Sequence, residues 1–331
     1  MKDFNIGKIR GLQQIATAKG VFVMCAMDHR SGLVTMLEEA QHEKPDYQEI
    51  VELKLQMCRT LGPHSSGILL DPEYGAAQCI AAGVLAGSAG LLVSVEATGY
   101  EKDPRGRLTA LLKGWSVEKI KRMGASAVKI LVYYRPDIKD IARKQLDILS
   151  AVAEDCIKFD IPFLVEPKTY RLDGEKMDSV EFARRLPEMV IETARQITAL
   201  PVDVLKAEFP ADVKYEKDTL RLSGYCRQLD AASESPWVIL SAGVDYDTFK
   251  QQVKLACEAG ASGFLGGRAI WQEALDFTDT ADRYKYFQDV AAVRLQELGS
   301  IAGQHARSWH DKWGLSPDRL ADINGEWYKR Y

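Results

Sequence analysis

Eight short, near-continuous apolar runs recur along the chain, separated by longer stretches in which apolar residues return at helical spacing. In order they are VFVMCAMD (21–28), GILLD (67–71), GLLVSVE (90–96), AVKILVYY (127–134), IPFLVEP (161–167), VDVLKAEFP (202–210), WVILSAG (237–243) and GFLGGR (263–268). Runs this short and this apolar suit parallel strands covered on both faces, and segments between them, such as VEFARRLPEMVIETARQI (180–197), read as helices. Repeated strand and helix is the α/β pattern, and eight such units over roughly 250 residues fit a (β/α)8 barrel. The reading is a single barrel domain over residues 1–331, with its core at about 20–282, a helical extension before it and a helical tail over about 283–331. A doubly wound sheet with a second domain fits less well: DHRSG follows the first run in place of GxGxxG, and no Pro/Gly/Ser-rich linker divides the chain.

Composition narrows the partners. With 331 residues, 46% of them hydrophobic and 27% charged, the chain can bury a large core, and its net charge of -4, without a basic tail, gives no electrostatic basis for nucleic-acid binding. The uncharged stretch 79–95 is too short for a membrane span and is broken by Gly83, Gly87 and Gly90. Six scattered cysteines without a CxxC pair read as reduced thiols, and the charge-interleaved N-terminus does not read as a signal peptide, so a cytoplasmic protein is expected. The five histidines show no HxH or HExxH spacing, and no metal site is expected.

Polar residues gather at the carboxyl ends of the runs: Asp28, Asp71, Glu96, Glu166, Lys206 with Glu208, Ser241 and Arg268. That rim is where barrels build active sites. Any one of them alone is commonly a cap or a solvated charge, and Asp71, followed by Pro72, is read as a cap. Side chains alternate along a strand, so Lys206 shares a face with Val204 and Glu208. A lysine walled by apolar side chains and other cations releases its proton more readily, and a neutral amine attacks a carbonyl to form a Schiff base. A simple Lys206–Glu208 ion pair explains the spacing equally well. Lys129 is a second strand lysine, either the cation that activates Lys206 or the nucleophile itself. Glu166, on the run before Lys206, is the candidate acid/base if apolar walls let it hold a proton near neutral pH. ILSAGV and GFLGGRAIW place Ser241, Gly243, Gly266, Gly267 and Arg268 where small residues and a fixed charge receive an anion. Phosphate sites after barrel strands seven and eight recur in this architecture.

Taken in order, AMDHRSGL, AVKILVYY, FLVEP, VDVLKAEFP, LSAGV and GFLGGRAIW resemble the tagatose 1,6-diphosphate aldolases, the LacD branch of the class I (Schiff-base) aldolases. The resemblance covers nearly the whole chain. It implies that Lys206 forms a Schiff base with dihydroxyacetone phosphate, that Glu166 is the acid/base and that Lys129 and Asp28 line the pocket. It further implies that Ser241, Gly243, Gly267 and Arg268 hold the phosphate, and that no cofactor is needed. His29 stands where the family often has glutamine. Arg135 and Lys168 sit near the rim, and these positions, with Arg105 and Arg107 after the third run, are candidates for the far end of a bisphosphate. Relatives that cleave a sulfonated ketose phosphate leave the aldehyde half open. A non-catalytic sugar-phosphate binder and an isomerase using Glu166 as base are the competing readings. The Trp/Tyr-rich tail either caps the barrel or forms a contact in a homo-oligomer.

Overall fold

The computed structural model describes residues 5–103, 105–321, 323–329 and 331. All eight apolar runs form strands of one closed parallel barrel. They are β1 (Phe22–Ala26), β2 (Gly67–Leu70), β3 (Gly90–Ser94), β6 (Ala127–Tyr133), β7 (Phe163–Lys168), β8 (Val204–Ala207), β9 (Trp237–Leu240) and β10 (Gly263–Gly266). Between β3 and β6 the chain adds a small antiparallel hairpin, β4 (Glu101–Asp103) and β5 (Gly106–Leu108). The barrel closes where Phe22 to Cys25 pair with Gly263 to Gly266.

Alternation sorts the strand residues into two cores. Met24, Leu69, Leu92, Ala127, Leu164, Val204, Val238 and Leu265 fill the barrel interior, whereas Ile68, Val93, Val128, Val165, Leu205, Ile239 and Phe264 pack outward against the helices. Because Val204 points inward, Lys206 does too, and Leu205 and Ala207 face the helix layer.

The helices are α1 (Ile6–Ile15), α2 (Ser31–Gln41), α3 (Tyr47–Leu61), α4 (Ala76–Ala81), α5 (Val117–Arg122) and α6 (Lys139–Lys158), followed by α7 (Val180–Thr198), α8 (Thr219–Ala232), α9 (Tyr246–Glu258), α10 (Arg268–Trp271), α11 (Thr280–Tyr286) and α12 (Ala292–His305). Several start on polar side chains that accept their orphan N–H groups: Ser179 accepts from Phe182, and Asp46 with Glu49 forms a reciprocal capping box at α3. α12 packs beside α9 and against β1, so the first part of the tail completes the outer ring. α1 supplies Leu12 and Ile15 to the interior cluster, and Trp309 joins them. The tail therefore caps the amino-terminal end of the barrel, tied there by Trp309 N–H donating to Gly20 O (2.9 Å) and Trp313 Nε1 to Glu234 O (3.0 Å). Lys8 on α1 and Asp203 form a buried ion pair of 2.7 Å beside this plug, and functional groups are left to the opposite, carboxyl end. Among the described residues no helix is long and apolar enough to cross a membrane.

Candidate active site

Lys129 and Lys206 rise from β6 and β8 into the carboxyl end of the barrel, with Glu166 on the intervening strand β7. One carboxylate oxygen, Glu166 Oε2, lies 3.0 Å from Lys129 Nζ and 2.9 Å from Lys206 Nζ. Lys129 is also held by Asp28 Oδ2 at 2.7 Å and Glu96 Oε1 at 2.8 Å. Glu166 is the only carboxylate within ion-pair reach of Lys206 among the described residues. Both lysines are almost wholly buried, at 1% exposure for Lys129 and 4% for Lys206.

These distances set the charges. Burial opposes the Lys129 ammonium, but Asp28, Glu166 and Glu96 outweigh it and hold its pKa well above the usual lysine value. Burial likewise raises the Asp28 and Glu166 carboxyls, yet Lys129 and Lys206 overcome it and draw both below the ordinary carboxylate range. The expectation that apolar walls keep Glu166 protonated is thus corrected for the free protein. Two lysines at contact distance outweigh burial, and the Glu166 carboxyl is held below its ordinary range.

Glu96, at the end of the third run, reads in the sequence only as a rim residue. Its inward parity with Leu92 and Ser94 brings it to Lys129. The proposed Lys206–Glu208 pair does not form, because Glu208 binds Lys168 Nζ (2.6 Å) and Thr169 N–H (2.7 Å). Asp71 accepts from the N–H groups of Glu73 and Tyr74, as a cap would, and also pairs with the buried Lys54.

The residues read from the sequence as an anion cradle lie across the mouth. Ala242 (φ 50°) and Gly243 (φ 80°) turn the chain sharply after β9, and a Cβ on Gly243 would come within 3.0 Å of the Arg268 guanidinium. Ser241 Oγ is 3.4 Å from Gly267 N, whose inward side meets His29: a Cβ there would sit 3.2 Å from His29 Cε1. Arg268 keeps no carboxylate within ion-pair reach among the described residues, and burial draws its pKa below the ordinary guanidinium value, with Glu166 opposing. Burial pushes His29 down to about 4, with Asp28 opposing and Arg268 assisting, so its imidazole is neutral at physiological pH. His29 Nδ1, Ser94 Oγ and Glu96 Oε2 are buried without hydrogen-bond partners. Gly266 has a different surrounding from the other cradle residues. It faces the helices, where a Cβ would meet Phe249 and Ile270 at 2.8 Å, so its missing side chain serves packing.

The four distal cations separate clearly. Arg135 is fully buried, bound by Asp137 at 2.6 Å and Glu175 at 2.6 Å and donating to Tyr170 O, so it holds loops together and does not face the mouth. Arg105 pairs with Asp103 and Asp140, and Lys168 with Glu208. Arg107 has no carboxylate partner among the described residues; its guanidinium rests 4.5, 5.5 and 5.2 Å from the rings of Tyr100, Tyr133 and Tyr170. Tyr133 stands four residues beyond Lys129 on the same strand face, which ties this cage to the barrel mouth. A groove of about 680 Å³ runs beside it, lined by Tyr100, Lys102, Arg105, Arg107, Tyr170 and Arg171 among others.

A closed barrel with two buried lysines bridged by one carboxylate, next to an anion cradle, is the constellation of an aldolase. Residues 22–273 match the DeoC/LacD family of aldolases, and the chain belongs to that family and is a lyase. It is 32% identical over 323 residues to the tagatose 1,6-diphosphate aldolase of Staphylococcus aureus (strain JH9), covering 92% of this chain and 98% of that one. Among solved structures, a fructose-bisphosphate aldolase from Plasmodium falciparum superposes with a TM-score of 0.70 at 15% identity, over 92% of this chain and 98% of that one. An archaeal fructose-1,6-bisphosphate aldolase, with its catalytic lysine covalently bound to the carbinolamine intermediate of the substrate, gives 0.53 at 21% identity, over 86% and 98%. At these identities the structural likeness is one of fold.

Proposed function

We propose that the protein cleaves a ketose 1,6-bisphosphate to dihydroxyacetone phosphate and glyceraldehyde 3-phosphate through a Schiff base on Lys206. The observation that carries this reading is the shared oxygen of Glu166. Lys129, fixed by three carboxylates, is a permanent cation, whereas Lys206 need only pass a proton across one 2.9 Å contact to become a nucleophile. Its amine attacks the C2 carbonyl. Glu166, now carrying that proton, returns it to the carbinolamine hydroxyl, which leaves as water and yields the protonated imine. The imine draws the electrons of the C3–C4 bond as Glu166 takes the proton of the C4 hydroxyl, which releases the aldehyde and leaves an enamine. Protonation at C3 and hydrolysis then free dihydroxyacetone phosphate and Lys206. Lys129, held by Asp28 and Glu96, supplies fixed positive charge beside the oxygens that carry the developing charge.

Ser241, Gly243, Gly267 and Arg268 hold the phosphate of the three-carbon ketone, and neutral His29 contributes a hydrogen bond at that end. Arg107, with no carboxylate partner at the mouth among the described residues, is the distal anion contact, Lys168 a secondary one. Tagatose 1,6-bisphosphate is the proposed substrate, supported by the S. aureus relative over nearly the full length. Fructose 1,6-bisphosphate is tolerated, because Schiff-base chemistry at C2 does not read the C4 configuration stringently. Six free, buried cysteines fit a reducing, cytoplasmic setting.

Steady-state kinetics on tagatose and fructose 1,6-bisphosphates, fructose 1-phosphate and sulfofructose 1-phosphate test the assignment. The bisphosphates should have the highest kcat/KM, and Arg107→Ala should lower theirs by about 10–100-fold, as for loss of a charge-assisted contact, while sparing fructose 1-phosphate. Preference for the sulfonate would overturn the substrate assignment. Equal rates on fructose 1-phosphate would remove the distal site, and no turnover of any of the four would overturn the substrate class.

A further inference from the structure

We infer that Lys54 is a positioning residue for this reaction, holding from behind the backbone that presents Asp28 to Lys129. The inference rests on the functional reading of the Lys206, Glu166 and Lys129 cluster.

α3 buries Ile50, Leu53, Lys54, Met57, Cys58 and Leu61, so a lysine occupies the apolar stripe where helical periodicity calls for a leucine or methionine. It is fully buried. A buried ammonium persists only when its N–H groups are all engaged, and this one has exactly as many acceptors as donors. Nζ donates to Met27 O (2.9 Å), to His29 O (2.8 Å) and to the Asp71 carboxylate. Asp71 is anchored in turn, since its other oxygen accepts from Glu73 N–H (2.9 Å) and Tyr74 N–H (2.8 Å).

The two backbone acceptors are informative. They flank Asp28, whose Oδ2 reaches Lys129 at 2.7 Å. Residues 27–30 have left β1 and belong to no strand or helix, so neither a ladder nor a helix fixes these carbonyls. Their other ties act on the ends of the segment: Met27 N–H donates to Leu69 O (2.8 Å), Trp271 Nε1 to Ala26 O (3.0 Å) and Arg30 Nη2 to Glu96 O (2.7 Å). Lys54 holds the middle. Without its ammonium, two buried carbonyls lose their donor and the peptide units around Asp28 are free to rotate toward other partners. The carboxylate then leaves Lys129, which pulls Glu166 from Lys206 toward itself.

Lys54→Met alone strands the Asp71 carboxylate, so the test uses Lys54→Met/Asp71→Asn, which removes both charges. Cleavage of tagatose 1,6-bisphosphate is measured in a cycle with Asp28→Asn. The paired substitution should lower kcat by about 10–100-fold with KM within about threefold, and in the Asp28→Asn background it should change kcat by less than about threefold, because both act through the same carboxylate. If the Met pair does not fold, Lys54→Leu/Asp71→Asn, which likewise leaves no N–H donor at position 54, takes its place with the same criteria. Wild-type kcat, or the same factor of loss in both backgrounds, overturns the inference. An Asp28→Asn protein with wild-type kcat overturns it as well. Absence of any borohydride-stable adduct at Lys206 in the wild-type protein overturns the underlying reading together with it.

Discussion

Replacing Glu166 by glutamine removes the carboxylate that Lys129 and Lys206 share while nearly conserving volume. Glu166 Oε2 lies 2.9 Å from Lys206 Nζ, so the proton that activates the amine crosses a single hydrogen bond. An amide cannot accept that proton. Loss of a positioned acid/base costs about 10²–10⁴ in rate, which at about 1.4 kcal/mol per decade is roughly 3–6 kcal/mol of barrier. The same change replaces two charge-assisted contacts by weaker ones, a loss of about 1.5–3 kcal/mol, or roughly 2–4 °C in Tm for a chain of this length. Steady-state cleavage assays should show kcat lower by about 10²–10⁴ with phosphate-end binding nearly intact, because the Arg268 cradle is untouched. Calorimetry of glycerol 3-phosphate binding, which has the phosphate but no carbonyl to form an imine, reads the second quantity. A kcat within about threefold of wild type would refute the assignment of Glu166 as base, and a Kd that rises in step with the loss of kcat would make it a binding residue instead.

The pH dependence of stability should carry a His29 component. Its folded pKa is drawn down to about 4 by burial, against about 6.5 in an unfolded chain, so the stability it contributes is complete above about 6.5 and is lost as pH falls toward 4. His29→Gln should therefore flatten the loss over that window by up to about 1.4 kcal/mol per pH unit in urea titrations; an unchanged slope would contradict its burial as a neutral ring. Arg135→Met should lower stability by about 2–3 kcal/mol, below the ~3–5 of a wholly buried pair because Asp137 and Glu175 are partly solvated, and leave the preference for bisphosphates over fructose 1-phosphate unchanged. A collapse of that preference would return Arg135 to the substrate.

The barrel was legible because its signal is local: each parallel strand is a continuous apolar run, and the parity of Val204 alone directs Lys206 inward. The Lys206, Glu166 and Lys129 cluster followed from the same parity, applied to three adjacent barrel strands, β8, β7 and β6. What parity does not carry is partner choice. Arg135 sits near the rim in sequence, yet two carboxylates at Asp137 and Glu175 claim it, and Glu208 prefers Lys168 across the strand to Lys206 on its own. Gly266 and Gly267 look equivalent in the sequence, but the last residue of β10 and the one that follows it face opposite ways, one to Phe249 and the other to His29. Glu96 could have been included with Lys129 by extending strand parity past β3. Lys54 also left a trace: a lysine in the apolar stripe of YQEIVELKLQMCRTL signals a buried partner, though only the fold reveals that its partners surround Asp28.

The central claim is that Lys206, and not the better-held Lys129, forms the covalent bond to substrate. Incubation with dihydroxyacetone phosphate and borohydride, followed by peptide mass mapping, tests it directly. One stable adduct is expected on the peptide carrying Lys206, absent from Lys206→Ala and retained in Lys129→Met; an adduct on Lys129, or none at all, would contradict the assignment.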